Sequence, residues 1–311
     1  MTNQLSETIK IRQPHFYELF TRVFLKQQFA HAYLIESRSE QEGIIFSTWL
    51  AEHLFCEDKK EGKPCGACVN CERINRNDFP DMLIVEPDGQ SIKVDQIREI
   101  KKVFTQKGFE SSQNLVIIQQ SEKMTTQAAN ALLKFIEEPD GETYILFLTA
   151  NSNQIISTIQ SRCQLVTLRN ESKESIKETL LEHTTNEQAI YLISELMSTS
   201  EEAVELLENE WFNGSRETVK KWVDLILKKH PMSFIYVQQH IIKLSKDKKE
   251  QLFILDMVLC LLKYEMLKDA LDRPIHLTVA HLELVLDAKA KLGTHVSFQN
   301  VCEQLVWRLI R

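Results

Sequence analysis

The chain has 311 residues, 37 Lys+Arg against 44 Asp+Glu and a net charge of −7, a length that suits two or three domains at about 150 residues each. The charge is spread evenly, with 19 basic against 22 acidic residues through Arg169 and 18 against 22 after it, which excludes a chain-wide electrostatic clamp on nucleic acid. No apolar run of ~18 residues or apolar signal core is present, so a cytoplasmic protein without a membrane span is expected.

Four short segments are apolar throughout: Ala32 to Ile35, Met82 to Val85, Leu115 to Ile118 and Tyr144 to Thr149. Such runs suit strands buried on both faces of a parallel sheet. Between them, Val94, Ile97, Ile100, Val103 and Phe104 recur at helical spacing, with Asp95 placed as N-cap. Ala128, Ala131, Leu132, Phe135 and Ile136 repeat the pattern up to a stop at Glu138-Pro139. This alternation predicts a doubly wound α/β domain.

After Arg169 the strand signals vanish, and only Gly214 and Gly293 follow Gly141, so the second half is expected to be all helix. Three short helices are predicted around Ile176 to His183, Glu187 to Ser198 and Ser200 to Glu208. A break is predicted at Asn213-Gly214. Longer helices then run over Leu252 to Leu271, ended by Pro274, over Leu277 to Leu292, and over Phe298 to Ile310.

Seven cysteines are present, four of them bunched as Cys56-x8-Cys65-x2-Cys68-x2-Cys71. Four thiolates at this spacing meet the tetrahedral demand of zinc, and a closed four-sulfur site leaves no open position for catalysis. A structural zinc ribbon is therefore expected at about residues 56–71, with Gly62, Pro64 and Gly66 turning the loop. Its charged residues cancel, so nucleic-acid binding by the ribbon is the lesser expectation. Cys163, Cys260 and Cys302 are expected as buried, reduced thiols.

A phosphate loop should follow the first strand of such a domain. Residues 36 to 45 instead read GluSerArgSerGluGlnGluGlyIleIle, with no lysine for the phosphates and three glutamates that repel them. After the third strand, where a hydrolase places an Mg²⁺ carboxylate, stands Gln119-Gln120. Nucleotide binding and hydrolysis by this chain are not expected. Lys93, Arg98, Lys101, Lys102 and Lys107 form a modest basic strip, interrupted by Asp95 and Glu99, that reads as a solvated helix face. Asn151 reads as a turn residue and His31 as packed at a strand start.

HAYLI at 31–35, the four-cysteine insertion, LVII, AlaAsnAlaLeuLeuLysPheIleGluGluPro at 129–139 and SerArgCys at 161–163 occur in that order. Over about residues 15 to 170 the set resembles the bacterial clamp-loader branch of the AAA+ proteins, and within it a member whose own nucleotide site has decayed. The resemblance implies an AAA+ RecA-like α/β domain over 1–170, a helical lid over 171–211 and a helical oligomerisation collar over 212–311. The family's phosphate-loop glycines fall on Ser37 and Glu42, its lysine and hydroxyl on Gly43 and Ile44, and its Mg²⁺ carboxylate and neighbouring acid on Gln119 and Gln120. SerArgCys is intact, which implies that Arg162 reaches in trans into a neighbouring subunit's ATP site, where a planar, permanently charged guanidinium suits a γ-phosphate. Implied partners are the gamma/tau and delta subunits of the loader, with the sliding clamp and primed DNA met through the assembly and no membrane. Two alternatives stay open: a gamma/tau-like ATPase with an atypical phosphate loop, and a zinc-ribbon nucleic-acid-binding module.

Overall fold

The computed structural model describes residues 3–105, 111, 113–137, 142–268, 275–293 and 296–310. The chain divides into two units, Met1–Asn170 and Glu171–Arg311. The expected stops at Glu138-Pro139 and Pro274 lie outside the described residues, as do Lys107 and the side chains of Lys101, Val103 and Phe104.

The first unit runs α1 (Gln4–Arg12), α2 (Pro14–Leu25), β1 (Ala32–Glu36), α3 (Glu40–Phe55), α4 (Val69–Asn75), β2 (Met82–Val85), α5 (Val94–Thr105), β3 (Gln113–Ile118), α6 (Thr126–Glu137), β4 (Glu142–Thr149), α7 (Ser157–Gln160) and β5 (Gln164–Thr167). The sheet order is β2-β3-β4-β1-β5, and every pairing is parallel. Alternation along each strand divides the side chains between two cores. Tyr33, Ile35, Leu115, Ile117, Leu146 and Leu148 meet Ile9, Phe20, Phe46 and Trp49 from α1, α2 and α3. Ala32, Leu34, Val116, Ile118, Ile145 and Phe147 meet Ile97, Leu132, Phe135 and Ile159 from α5, α6 and α7. Burial on both faces is why these strands are apolar without alternation.

β5 was not among the expected strands. It is an edge strand pairing with β1, and of its residues only Val166 is buried while Leu165 stays exposed. α5 begins at Val94, so Asp95 sits inside the first turn, where its charge favours the helix end, and is not the N-cap. There the Lys93 N–H donates to Gln96 Oε1 at 3.0 Å instead. His31 is exposed rather than packed.

The second unit contains α8 (Lys173–His183), α9 (Glu187–Leu196), α10 (Ser200–Glu208), α11 (Glu210–Leu227), α12 (Met232–Tyr236), α13 (Lys248–Lys268), α14 (Ile275–Leu292) and α15 (Phe298–Ile310). Ser172, Asn186, Thr199 and Asn209 cap α8 to α11 by accepting from N–H groups of the first turn. The expected break at Asn213-Gly214 does not occur, and the chain turns at Asn209 instead. Asn213 lies within α11 and donates its amide to the Leu207 and Asn209 carbonyls. The cost of one helical glycine, about 1 kcal/mol, is offset by burial of Phe212, Val219, Trp222, Val223 and Ile226 on the same helix. One apolar core runs from Ile176 through Trp222 and Leu255 to Leu309. No described helix is long and apolar enough to cross a membrane.

Candidate functional site

In doubly wound folds ligands gather at the carboxyl ends of the strands. Here that edge carries Ser37 after β1, Gln119 and Gln120 after β3, and Asn151 after β4.

The loop after β1 satisfies itself. The Ser37 N–H donates to Thr149 O at 2.9 Å, the Ser37 hydroxyl donates to Ser39 O at 2.7 Å, and the Glu42 N–H donates to Ser39 Oγ at 3.2 Å. Only Ser37 to Ser39 separate β1 from α3, which has already begun at Glu40. Glu42, on a position where the family has glycine, is 5% exposed and takes Arg12 Nη1 at 3.1 Å and Gln13 Nε2 at 3.3 Å. Gln13 also donates to Arg169 O at 2.7 Å and accepts from the Arg169 N–H at 3.0 Å. The α1–α2 junction thus supplies partners for a carboxylate buried in the first turn of α3. The Ser37 and Glu42 N–H groups are thus engaged within the chain, and a buried carboxylate stands in the first turn of the helix that follows the loop.

The position of the Mg²⁺ carboxylate holds amides. Gln119 is buried and donates its N–H to Val85 O at 2.9 Å. Gln120 adopts φ 47°, donates to Glu40 Oε1 at 2.5 Å and accepts from Lys123 Nζ. Asn151 caps the turn Ser152–Gln154 by accepting from the Asn153 N–H at 3.0 Å, as a turn residue does.

Arg162 lies in the turn between α7 and β5 and is half-exposed. Its Nε and Nη2 donate to Glu137 Oε1 at 2.8 and 2.6 Å, and its Nη1 donates to Thr158 O at 3.0 Å and to Ser161 Oγ at 3.2 Å. Cys163 packs on the α5–α6 side of the sheet, where burial pushes its thiol up to about 12. Cys260 and Cys302 are buried as expected, with burial first among the causes that raise both thiols. In the basic strip, Lys93 pairs with Asp88 at 3.2 Å and Arg98 with Asp95 at 2.9 Å, both on the surface.

The four bunched cysteines converge. All four sulfurs lie within 4.8 Å of one another, with Cys56 Sγ 3.6 Å from Cys65 Sγ and 3.9 Å from Cys68 Sγ. A tetrahedron with metal–sulfur bonds of ~2.3 Å has edges of about 3.8 Å, so the donor set fits a metal ion. The Cys65 N–H points at Cys56 Sγ (3.3 Å) and the Cys68 N–H at Cys65 Sγ (3.2 Å), dipoles that favour thiolates. Burial pushes Cys56 up to about 11. At Cys68 the opposing burial is outweighed by hydrogen bonds, led by those with the Cys71 and Glu57 backbones, and the thiol comes down to about 7. Gly62 and Gly66 hold φ of 77° and 73°, and a Cβ on Gly66 would fall 2.6 Å from Asn3 Cγ. Asn3 donates to Pro64 O at 3.3 Å and to Glu52 Oε2 at 2.7 Å. The loop is therefore fitted against the start of α1.

Sequence reasoning singled out the cysteines and Arg162, but not the partners Arg12, Gln13, Glu137 and Asn3. Those contacts span 25 to 61 residues of chain without periodicity, and only the missing phosphate-loop pattern hinted that something must fill the gap.

A family model described as DNA polymerase III, delta subunit, matches residues 12–172. The DNA polymerase III subunit delta' of Bacillus subtilis is 30% identical over 316 residues, covering 96% of each chain. The subunit of the same name from Haemophilus influenzae is 36% identical over 136 residues, 43% of this chain and 41% of that one. A solved structure of a DNA polymerase III, gamma subunit-related protein from Thermotoga maritima covers 94% of this chain and 97% of its own, with TM-score 0.52 and 20% identity. That likeness concerns the fold, an α/β AAA+ domain with a helical C-terminal region.

Proposed function

The chain belongs to the DNA polymerase III delta' family of clamp-loader subunits, and on that premise we propose that it is a non-catalytic member of the loader that lends Arg162 to a neighbouring subunit's ATP. It binds gamma/tau and delta subunits, and through them takes part in placing the sliding clamp on primed DNA. Residues 171–211 serve as its lid and 212–311 as its collar. The observation that carries the reading is a contrast between the two ends of the parallel sheet. At the carboxyl end the short loop after β1 bonds to itself and Glu42 is buried on Arg12 and Gln13, while at the amino end a half-exposed guanidinium stands on the turn before β5.

A guanidinium at a subunit seam neutralises charge that develops on a transferring phosphoryl group. Arginine fingers in related chemistry contribute about 10³–10⁵ in rate. Arg162→Ala should leave the reconstituted loader assembled, as judged by its sedimentation. It should lower the ATPase stimulated by clamp and primed DNA at least about tenfold at the affected seam, and clamp loading with it. Loading at the normal rate would refute the reading.

Cys56, Cys65, Cys68 and Cys71 would hold a structural Zn²⁺, which would supply cross-linking of the loop and no catalytic step. One zinc per chain is expected by elemental analysis. Cys68→Ser should lose the metal and expose the loop at residues 57–67 to protease. A metal-free chain with an intact, protease-resistant loop would refute the site.

A further inference from the structure

The hydrogen bonds of Arg162 bear on how such a finger is controlled. A guanidinium has five N–H donors. Four contacts here engage them: Nε and Nη2 on Glu137, and Nη1 on Thr158 O and Ser161 Oγ. Recognition of a phosphate by two parallel N–H bonds is thus incompatible with keeping all four. Thr158 in α7 and Ser161 in the turn after it offer neutral oxygens, whereas Glu137 offers a carboxylate from the end of α6. Glu137 is the one anion among the three, and so the one whose role a phosphate duplicates. Its side chain is 50% exposed and that of Arg162 38%, so the pair is open to a competitor from outside the chain.

Resting on the finger reading, we infer that Glu137 is a positioning residue: its carboxylate holds Arg162 in a resting pose, and the phosphate of a neighbouring subunit's ATP must displace it before the finger acts. The pair then sets the apparent affinity for ATP at that seam and leaves the rate of the engaged site unchanged. Its two sides differ in chemistry. Glu137→Gln keeps the shape and removes the charge, whereas Glu137→Asp keeps the charge.

The test is steady-state ATPase against ATP concentration in the reconstituted loader, with clamp and primed DNA present. Glu137→Gln should lower KM about three- to fivefold, the factor an exposed ion pair carries, with kcat unchanged. Glu137→Asp should stay near the parent KM, and in an Arg162→Ala background Glu137→Gln should change nothing further. A fall in kcat at constant KM would overturn the inference and make Glu137 an orienter of the engaged finger. No change in either constant would show the pair to be idle and overturn it equally. If Arg162→Ala alone left the ATPase and clamp loading intact, the finger reading would fail and take this inference with it. That result is distinct from a Glu137 failure beside an impaired Arg162→Ala.

Discussion

Arg12–Glu42 and Arg162–Glu137 join the same two kinds of side chain within one α/β unit, at 3.1 and 2.6 Å. Their carboxylates differ, with Glu42 5% and Glu137 50% exposed, while the two arginines are alike at 28% and 38%. Glu42 lies under the α1–α2 junction, buried, with Gln13 as second partner. Glu137 and Arg162 stand on the surface beside a three-residue turn. In water an ion pair is a weak and exchangeable contact, whereas the same pair out of water leaves an uncompensated charge when one member is lost. Burial of the carboxylate, more than geometry, therefore separates an ion pair fixed inside this chain from one that a competitor can open.

Three substitutions sharpen the comparison. Glu42→Ala should cost the most, about 2–3 kcal/mol in chemical denaturation of the full chain, because Arg12 and Gln13 then lose a buried acceptor. A cost under about 0.5 kcal/mol would show that this carboxylate does not fix the α1–α2 junction to α3.

Glu195 in the helical unit is an intermediate case. It takes Lys173 Nζ at 2.5 Å and Lys263 Nζ at 3.0 Å, with its side chain 14% exposed. Burial works to raise its pKa, but the hydrogen bonds from the two lysines outweigh it and hold the carboxyl below its ordinary value near 4.5. A group with a depressed folded pKa contributes stability above the unfolded value and loses it as pH falls through the folded one. Glu195→Gln should therefore cost about 1 kcal/mol at pH 7. The difference should shrink as pH drops below 4.5. A constant difference down to pH 3 would contradict the assignment.

Arg162→Ala should change stability least, by less than about 1 kcal/mol, although the proposed finger role gives it the largest expected effect on a neighbour's ATPase. A large loss of stability would mean that the Glu137 contact is structural.

How legible these features were follows from where their partners lie. β1 to β4 were readable because burial on both faces makes each a uniform apolar run. β5 was not, because an edge strand with only Val166 buried has no such signature. The helix over Asn213-Gly214 defied a local rule because burial along α11 and the side-chain bonds of Asn213 outweigh one glycine. The cysteine cluster is local in sequence, and its spacing alone brought four sulfurs together. At the loop after β1 the sequence showed the absence of a glycine- and lysine-bearing phosphate pattern and the presence of three glutamates. That Glu42 would be matched by Arg12 and Gln13, some thirty residues upstream, is a fact of tertiary packing that no spacing rule carries.

On the proposed reading the chain binds no nucleotide of its own and Arg162 serves another subunit. The most direct test is equilibrium binding of a fluorescent ATP analogue to the isolated chain with Mg²⁺, carried to millimolar concentration. No saturable binding is expected there. Saturable binding that unlabelled ATP competes away would contradict that reading and make the chain an ATP-binding subunit in its own right.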